Sequence, residues 1–220
     1  MLNIASNLNE IKTALPETVT LVAVSKTKPV ATLMEAYEAG QRIFGENKIQ
    51  EMVGKWEEMP KDVEWHMIGH VQTNKVKYMA PFVSMVHAVD SFKLLREINK
   101  QAAKHERTIQ CLLQVKIAEE DSKFGMSIQD TETILSSEDL VDLKHVSIVG
   151  LMGMASFTDN QEQLAQEFGF LKSTFDQLRE KHSNLSVLSM GMSGDYPLAI
   201  SHGSTMVRVG SAIFGARNYS

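Results

Sequence analysis

The strongest constraint on how this chain can fold is the regular alternation of short β-like apolar runs with helical segments along nearly its whole length. Strand-like runs occur at residues 21–25, 42–44, 63–69, 82–89, 109–117, 146–152, 185–190 and 206–210. Between them lie helical spacings. Pro29 sits at a favourable helix start and is followed by Val30, Leu33, Met34 and Tyr37, with Gly40 as the stop; Phe92, Leu95, Ile98 and Ala102 share a face; Leu164, Phe168, Leu171, Phe175 and Leu178 mark the clearest helix. Shorter helical pieces are expected after Ile49, at 73–78, at 127–137 and near 196–200. The run IQCLLQVKI at 109–117 is almost continuously apolar, as in a strand covered on both faces.

Eight such units, with no composition break and no Pro/Gly/Ser linker, predict a single (β/α)8 TIM barrel over residues 1–220, with residues 1–17 as an N-terminal helix packed on it. Each unit averages about 24 residues, above the dozen or so that a parallel crossover needs. An open doubly wound sheet is the competing arrangement, and would be the default for six or fewer strands. Eight favours closure.

Composition narrows the partners. The net charge is −5 and no block of like charge occurs, which argues against a nucleic-acid or anionic-membrane surface. Ile4, Leu8, Ile11 and Leu15 give the N-terminus a helical stripe without the charged flank and apolar core of a signal peptide, and no apolar run reaches the roughly 18 residues that span a bilayer. A cytoplasmic location is the default expectation. The single cysteine, Cys111, lies inside a strand-like run and reads as a buried structural thiol.

The chemistry begins at LVAVSKTKP, residues 21–29, where Lys26 leaves the first strand. A solvated lysine at a strand end is the ordinary case. The alternation opens another reading, because Val22 and Val24 share a side with Lys26. A lysine emerging from an interior is partly desolvated, and its neutral amine attacks aldehydes to form a Schiff base. If the barrel closes, the first and last strands are neighbours, and Lys26 and Arg208 meet at the C-terminal rim, where barrel active sites sit. Arg208 lies between apolar neighbours and needs acceptors, a barrel carboxylate being one possibility. The same rim has a common phosphate site in the loops after strands seven and eight. This chain has GMSGD at 191–195 and GSA at 210–212 there, offering Ser193, Gly194, Gly210 and Ser211.

An aldehyde for the amine and a phosphate for the loops occur together in pyridoxal 5'-phosphate (PLP). AVSKTKP at 23–29, FGENKIQE at 44–51, WHMIGHVQTNK at 65–75 and SMGMSGDYPLAISHGSTMVRVGSAIFGAR at 189–217 resemble the PLP homeostasis protein family, also called the proline synthase co-transcribed homologue family. The resemblance covers almost the whole chain. It implies a barrel similar to the N-terminal domain of alanine racemase, with PLP held as a Schiff base on Lys26. It also implies Asn47 near the ring, Arg208 facing the pyridine nitrogen, and Ser193, Gly194, Gly210 and Ser211 on the phosphate. A cation there disfavours the pyridinium and weakens the ring as an electron sink. Lys123 matches a basic loop position of the family.

The expected function is therefore carriage or buffering of PLP in vitamin B6 and amino-acid homeostasis, without robust turnover and with apo-PLP enzymes as candidate recipients. A weak amino-acid racemase is the alternative. Racemases draw a second acid/base, a tyrosine, from a separate β domain, and this chain ends at Ser220, soon after its last strand. Tyr37, Tyr78, Tyr196 and Tyr219 have no context that recommends them. Without that second domain a monomer is expected. A Schiff-base aldolase on a sugar phosphate would also use a barrel lysine, but usually on a later strand. His66 and His70 lack the helical spacing and glutamate of a HExxH metal site, so no metal is expected; His70 could line the pocket.

Overall fold

The structure, a computed structural model, describes residues 3–118 and 124–216. Helix α1 (Ile4–Ala14) precedes β1 (Thr20–Val24), α2 (Val30–Glu38), β2 (Ile43–Glu46), α3 (Ile49–Glu58), β3 (Glu64–Met67), α4 (Val76–Met79) and β4 (Val83–Val89). Then come α5 (Phe92–Ala103), β5 (Ile109–Gln114), α6 (Ile128–Leu135), β6 (Val146–Met152), α7 (Gln161–Lys181), β7 (Val187–Met192), α8 (Tyr196–Ser201), β8 (Met206–Val209) and α9 (Ser211–Phe214). The strands pair in sequence order, all parallel, and β1 closes on β8 with Val22 opposite Arg208. The expected closed barrel is the architecture found.

Strand alternation divides the apolar residues between two cores. Leu21, Ala23, Val207 and Val209 point outward, into the layer shared with the helices. Val22, Met85, Leu112, Met152 and Met206 fill the barrel interior. Strands covered on both faces lack the polar alternation of a half-exposed sheet, which explains the continuous run around β5.

Local signals set the helix ends. Asn160 caps α7 by accepting from the amides of Glu162 and Gln163, Arg179 and Lys181 oppose the dipole in its last turn, and the five expected apolar residues are buried. Asn3 caps α1, which buries Ile4, Leu8 and Ile11 and ends at Ala14, just before Pro16. The side chain of Asn7 donates to the Ile213 carbonyl, tying α1 to α9. Among the described residues no helix is long and apolar enough to cross a membrane. Cys111 is buried, and burial pushes its thiol pKa up.

One boundary differs from expectation in a way that matters. The second strand continues through Gly45 and Glu46, burying a carboxylate completely. Lys26 lies in a turn just beyond β1, at the strand exit expected of it. Sequence periodicity could not place the end of β2, because a buried ion pair decides it.

Close strand packing yields a test. A Cβ built on Gly150 would stand 1.7 Å from the Val187 carbonyl oxygen across the β6–β7 pair. Gly150→Ala is expected to lower the unfolding free energy by about 3 kcal/mol or more, read as a reduced urea midpoint. An unchanged midpoint would contradict this packing.

Candidate functional site

A cleft of about 670 Å³ opens at the C-terminal ends of the strands, of a size suited to a small-molecule ligand. Lys26, Asn47, Ser193, Gly194, Arg208, Gly210 and Ser211 all line it. Residues from four distant segments thus line one cleft.

Lys26 is half-buried in a four-residue turn closed by the amide of Lys28 donating to the Ser25 carbonyl at 3.1 Å. The Lys28 ammonium donates to the carbonyls of Phe214 and Ala216 at 2.7 and 3.1 Å, joining this turn to the end of α9. Asn47 follows β2. A Cβ on Gly69 would be 2.4 Å from the Asn47 carbonyl oxygen, so the WHMIGH segment abuts Asn47 only because residue 69 has no side chain.

The two serine turns are linked directly. The Ser193 hydroxyl accepts from the amides of Gly210 at 3.0 Å and Ala212 at 3.4 Å. Amides from the β8–α9 turn therefore converge on one oxygen, an arrangement suited to an anionic oxygen as well. Asp195 Oδ1 accepts from the Met192 amide at 2.5 Å and holds the β7–α8 turn. The β6–α7 loop is fixed by buried Glu167, whose carboxylate accepts from the Ser156 amide and hydroxyl, each at 2.6 Å.

Arg208 is buried, with only 4% of its surface exposed, and the acceptors found are carbonyls and a hydroxyl, not the carboxylate that was one possibility. Nη1 donates to the Ser189 carbonyl at 2.9 Å and its hydroxyl at 2.6 Å, and Nη2 donates to the Gly153 carbonyl at 2.9 Å. Burial pulls its pKa down to about 10, while the Asp195 charge raises it. It remains a cation at neutral pH.

Behind it runs a polar chain that the sequence reasoning missed. His87 Nδ1 is 3.1 Å from Ser189 Oγ, and His87 Nε2 is 3.1 Å from His66 Nδ1. Arginine only donates, so Ser189 Oγ accepts from Arg208 and keeps its own hydrogen available for His87 Nδ1, the order that neutral, buried imidazoles allow. His87 then donates from Nε2 to His66. This order requires neutral imidazoles. Burial lowers the His66 pKa to about 4 and that of His87 well below its ordinary value, the latter helped by His66 and Arg208. The available signal was a polar residue between apolar neighbours in each of β3, β4, β7 and β8.

His70 diverges from His66. Its Nδ1 is 3.2 Å from Asp90 Oδ2, and its ring stacks on Phe124 at 5.2 Å on the cleft wall. No cluster of three or more metal-ligating side chains occurs among the described residues. No tyrosine among the described residues lines the cleft; Tyr37 instead donates to Asp62. Lys123 and Tyr219 lie outside the described residues.

The barrel and its rim cleft define a protein of the alanine racemase N-terminal class. The family model described as "Alanine racemase, N-terminal domain" matches residues 1–218. The chain belongs to the pyridoxal phosphate homeostasis protein family: a protein of that name from Haemophilus influenzae is 40% identical over 234 residues, spanning 100% of this chain and 98% of that protein. Among solved structures, PipY of Synechococcus elongatus PCC7942 with PLP bound superimposes with a TM-score of 0.88 at 35% identity, covering 96% of this chain and 100% of that one. An alanine racemase of Clostridium difficile 630 shares the fold at a TM-score of 0.82 with 16% identity, over 99% of this chain and 57% of its own.

The buried histidines make stability pH-dependent. The unfolded His66 titrates near the ordinary value of 6.5 and the folded one near 4, so the unfolded chain binds more protons between these values. This contribution, on the order of 3 kcal/mol, is fully present above pH 6.5 and is lost as pH falls through about 4. Urea unfolding across this window should show the decline, and His66→Phe should reduce its slope to the share left by buried His87. An equal slope in the variant would contradict the neutral, buried assignment.

Proposed function

We propose that this chain binds PLP in the rim cleft and acts as a carrier or buffer of the cofactor. The observation that carries the reading is that a lysine, a buried arginine and two linked serine turns line one cleft. A bound PLP supplies an aldehyde, which an amine captures as an imine with loss of one water. Family membership and the PLP-bound PipY structure support the same cofactor.

The residues divide the work by chemistry. Lys26 offers the amine. Ser193, Gly194, Gly210 and Ser211 offer hydroxyl and amide donors to a phosphate. Asn47, held against Gly69, offers an amide beside the ring. Arg208 presents a positive charge that disfavours a proton on a facing ring nitrogen, and its three neutral acceptors leave that charge without a carboxylate among them. Such a cation weakens electron withdrawal by the ring, which suits holding and release more than turnover. A racemase reading needs a second proton-transfer group, and the tyrosine that role calls for is not on the cleft wall among the described residues.

Apo-PLP enzymes are the recipients such a carrier would serve, in the cytoplasm and from a monomer. Purified protein mixed with PLP is expected to develop the visible absorption of a lysine-bound cofactor, and Lys26→Ala to abolish that band while still folding. Wild-type protein that stays colourless would overturn the proposal. Proton exchange at the α-carbon of L-alanine in deuterated water at an enzyme-like rate would replace it with the racemase.

A further inference from the structure

The turn that carries Lys26 is held from below by a buried cation outside the cleft-lining set. Lys55, on α3, is 6% exposed and points its ammonium at three acceptors: the Ser25 carbonyl at 2.8 Å, Glu46 Oε1 at 2.7 Å and Glu51 Oε1 at 2.7 Å. Three acceptors use all three of its hydrogens. Glu51 Oε1 in turn accepts from the Thr27 amide at 2.5 Å, and the Ser25 hydroxyl donates to Glu46 Oε1 at 2.6 Å. The cluster thus grips the residue before Lys26, the residue after it and the residue before Asn47.

Two features make this costly to maintain for stability alone. Thr27 has φ +64°, a left-handed conformation that turns assign to glycine or asparagine and that a β-branched side chain resists. Glu46 is wholly buried, and its Oε2 has no hydrogen-bond partner; burial raises its pKa against the opposing pull of Lys55. Buried ion pairs are weak evidence for stabilisation, whereas strain held by its surroundings gathers at working sites.

We propose that Lys55 and Glu51 are positioning residues that hold the strained Lys26–Thr27 turn in the conformation from which the Lys26 amine bonds and releases an aldehyde cofactor. The proposal rests on the functional reading above. The bond concerned forms between the amine nitrogen and the aldehyde carbon with loss of water, and release reverses it by adding water. Lys55 acts through the Ser25 carbonyl and through Glu51, which restrains the Thr27 amide.

A double-mutant cycle in the full chain tests this, with PLP binding followed by visible absorption and folding followed by thermal melting. Glu51→Ala frees the Thr27 amide and is expected to weaken PLP binding about tenfold, the scale of one charge-assisted hydrogen bond. Adding Thr27→Gly removes the strain that the bond opposes and is expected to recover most of that loss. Glu51→Gln, which keeps an acceptor, is expected to retain most of the affinity. Amide exchange at Thr27 in cofactor-free protein should quicken in Glu51→Ala. Equal PLP affinity in Glu51→Ala and wild type, or a double variant as weak as Glu51→Ala, would overturn the proposal. A wild type that never binds PLP would instead fail the functional reading, and this inference with it, while binding by wild type and variant alike removes this inference alone.

Discussion

The pairing of β1 with β8 is the constraint on which the rest depends. Its register sets Val22 against Arg208 and Ala23 against Val209, bringing together the two ends of a chain that are otherwise remote in sequence. Closure puts the Lys26 turn, the β7–α8 turn and the β8–α9 turn on one rim. An open sheet of the same eight strands would leave β1 and β8 at opposite edges, and the lysine and the two serine turns would share no cleft.

Closure also creates a problem, because a narrow barrel interior must be filled without water. Part of the interior is apolar, with Val22, Met85, Leu112, Met152 and Met206 in one cluster. Beside it Arg208, Ser189, His87 and His66 form a chain of hydrogen bonds. Arginine cannot accept, so Ser189 is an acceptor at that end, and the neutral state of the two histidines allows the remaining bonds to run from Ser189 to His87 to His66. A half-satisfied version would cost more than an apolar core, so the chain works as a unit. Lys55 performs a similar task on the other side of the first strand, tying Ser25, Glu46 and Glu51 to one ammonium.

Much of this arrangement was legible in the sequence. Periodicity gave the strands and the long helix over Leu164 to Leu178, since burial on a 2.0 or 3.6 repeat leaves a direct trace. The rim residues were legible because the fold assigns positions to loops: once eight strands close, the turns after β7 and β8 must lie beside Lys26. Other features depend on contacts between segments remote in sequence. Nothing around His87 or Ser189 announces that they meet across the barrel, and Arg208 could as well have faced a carboxylate. Thr27 is a residue whose ordinary preference opposes its conformation, so propensity misleads there. Nothing local marks Glu46 and Lys55 as a buried pair, because the groups that enclose them come from segments remote in sequence.

In the proposed function one amine at the rim, that of Lys26, captures the aldehyde of the cofactor. Borohydride reduction of the PLP-loaded protein, followed by peptide mapping with mass spectrometry, tests this directly, because reduction converts a reversible linkage into a permanent one. A single phosphopyridoxyl group on the peptide bearing Lys26 is expected. A modification spread over several surface lysines, or one concentrated on Lys28 or Lys55 with Lys26 unmodified, would contradict it.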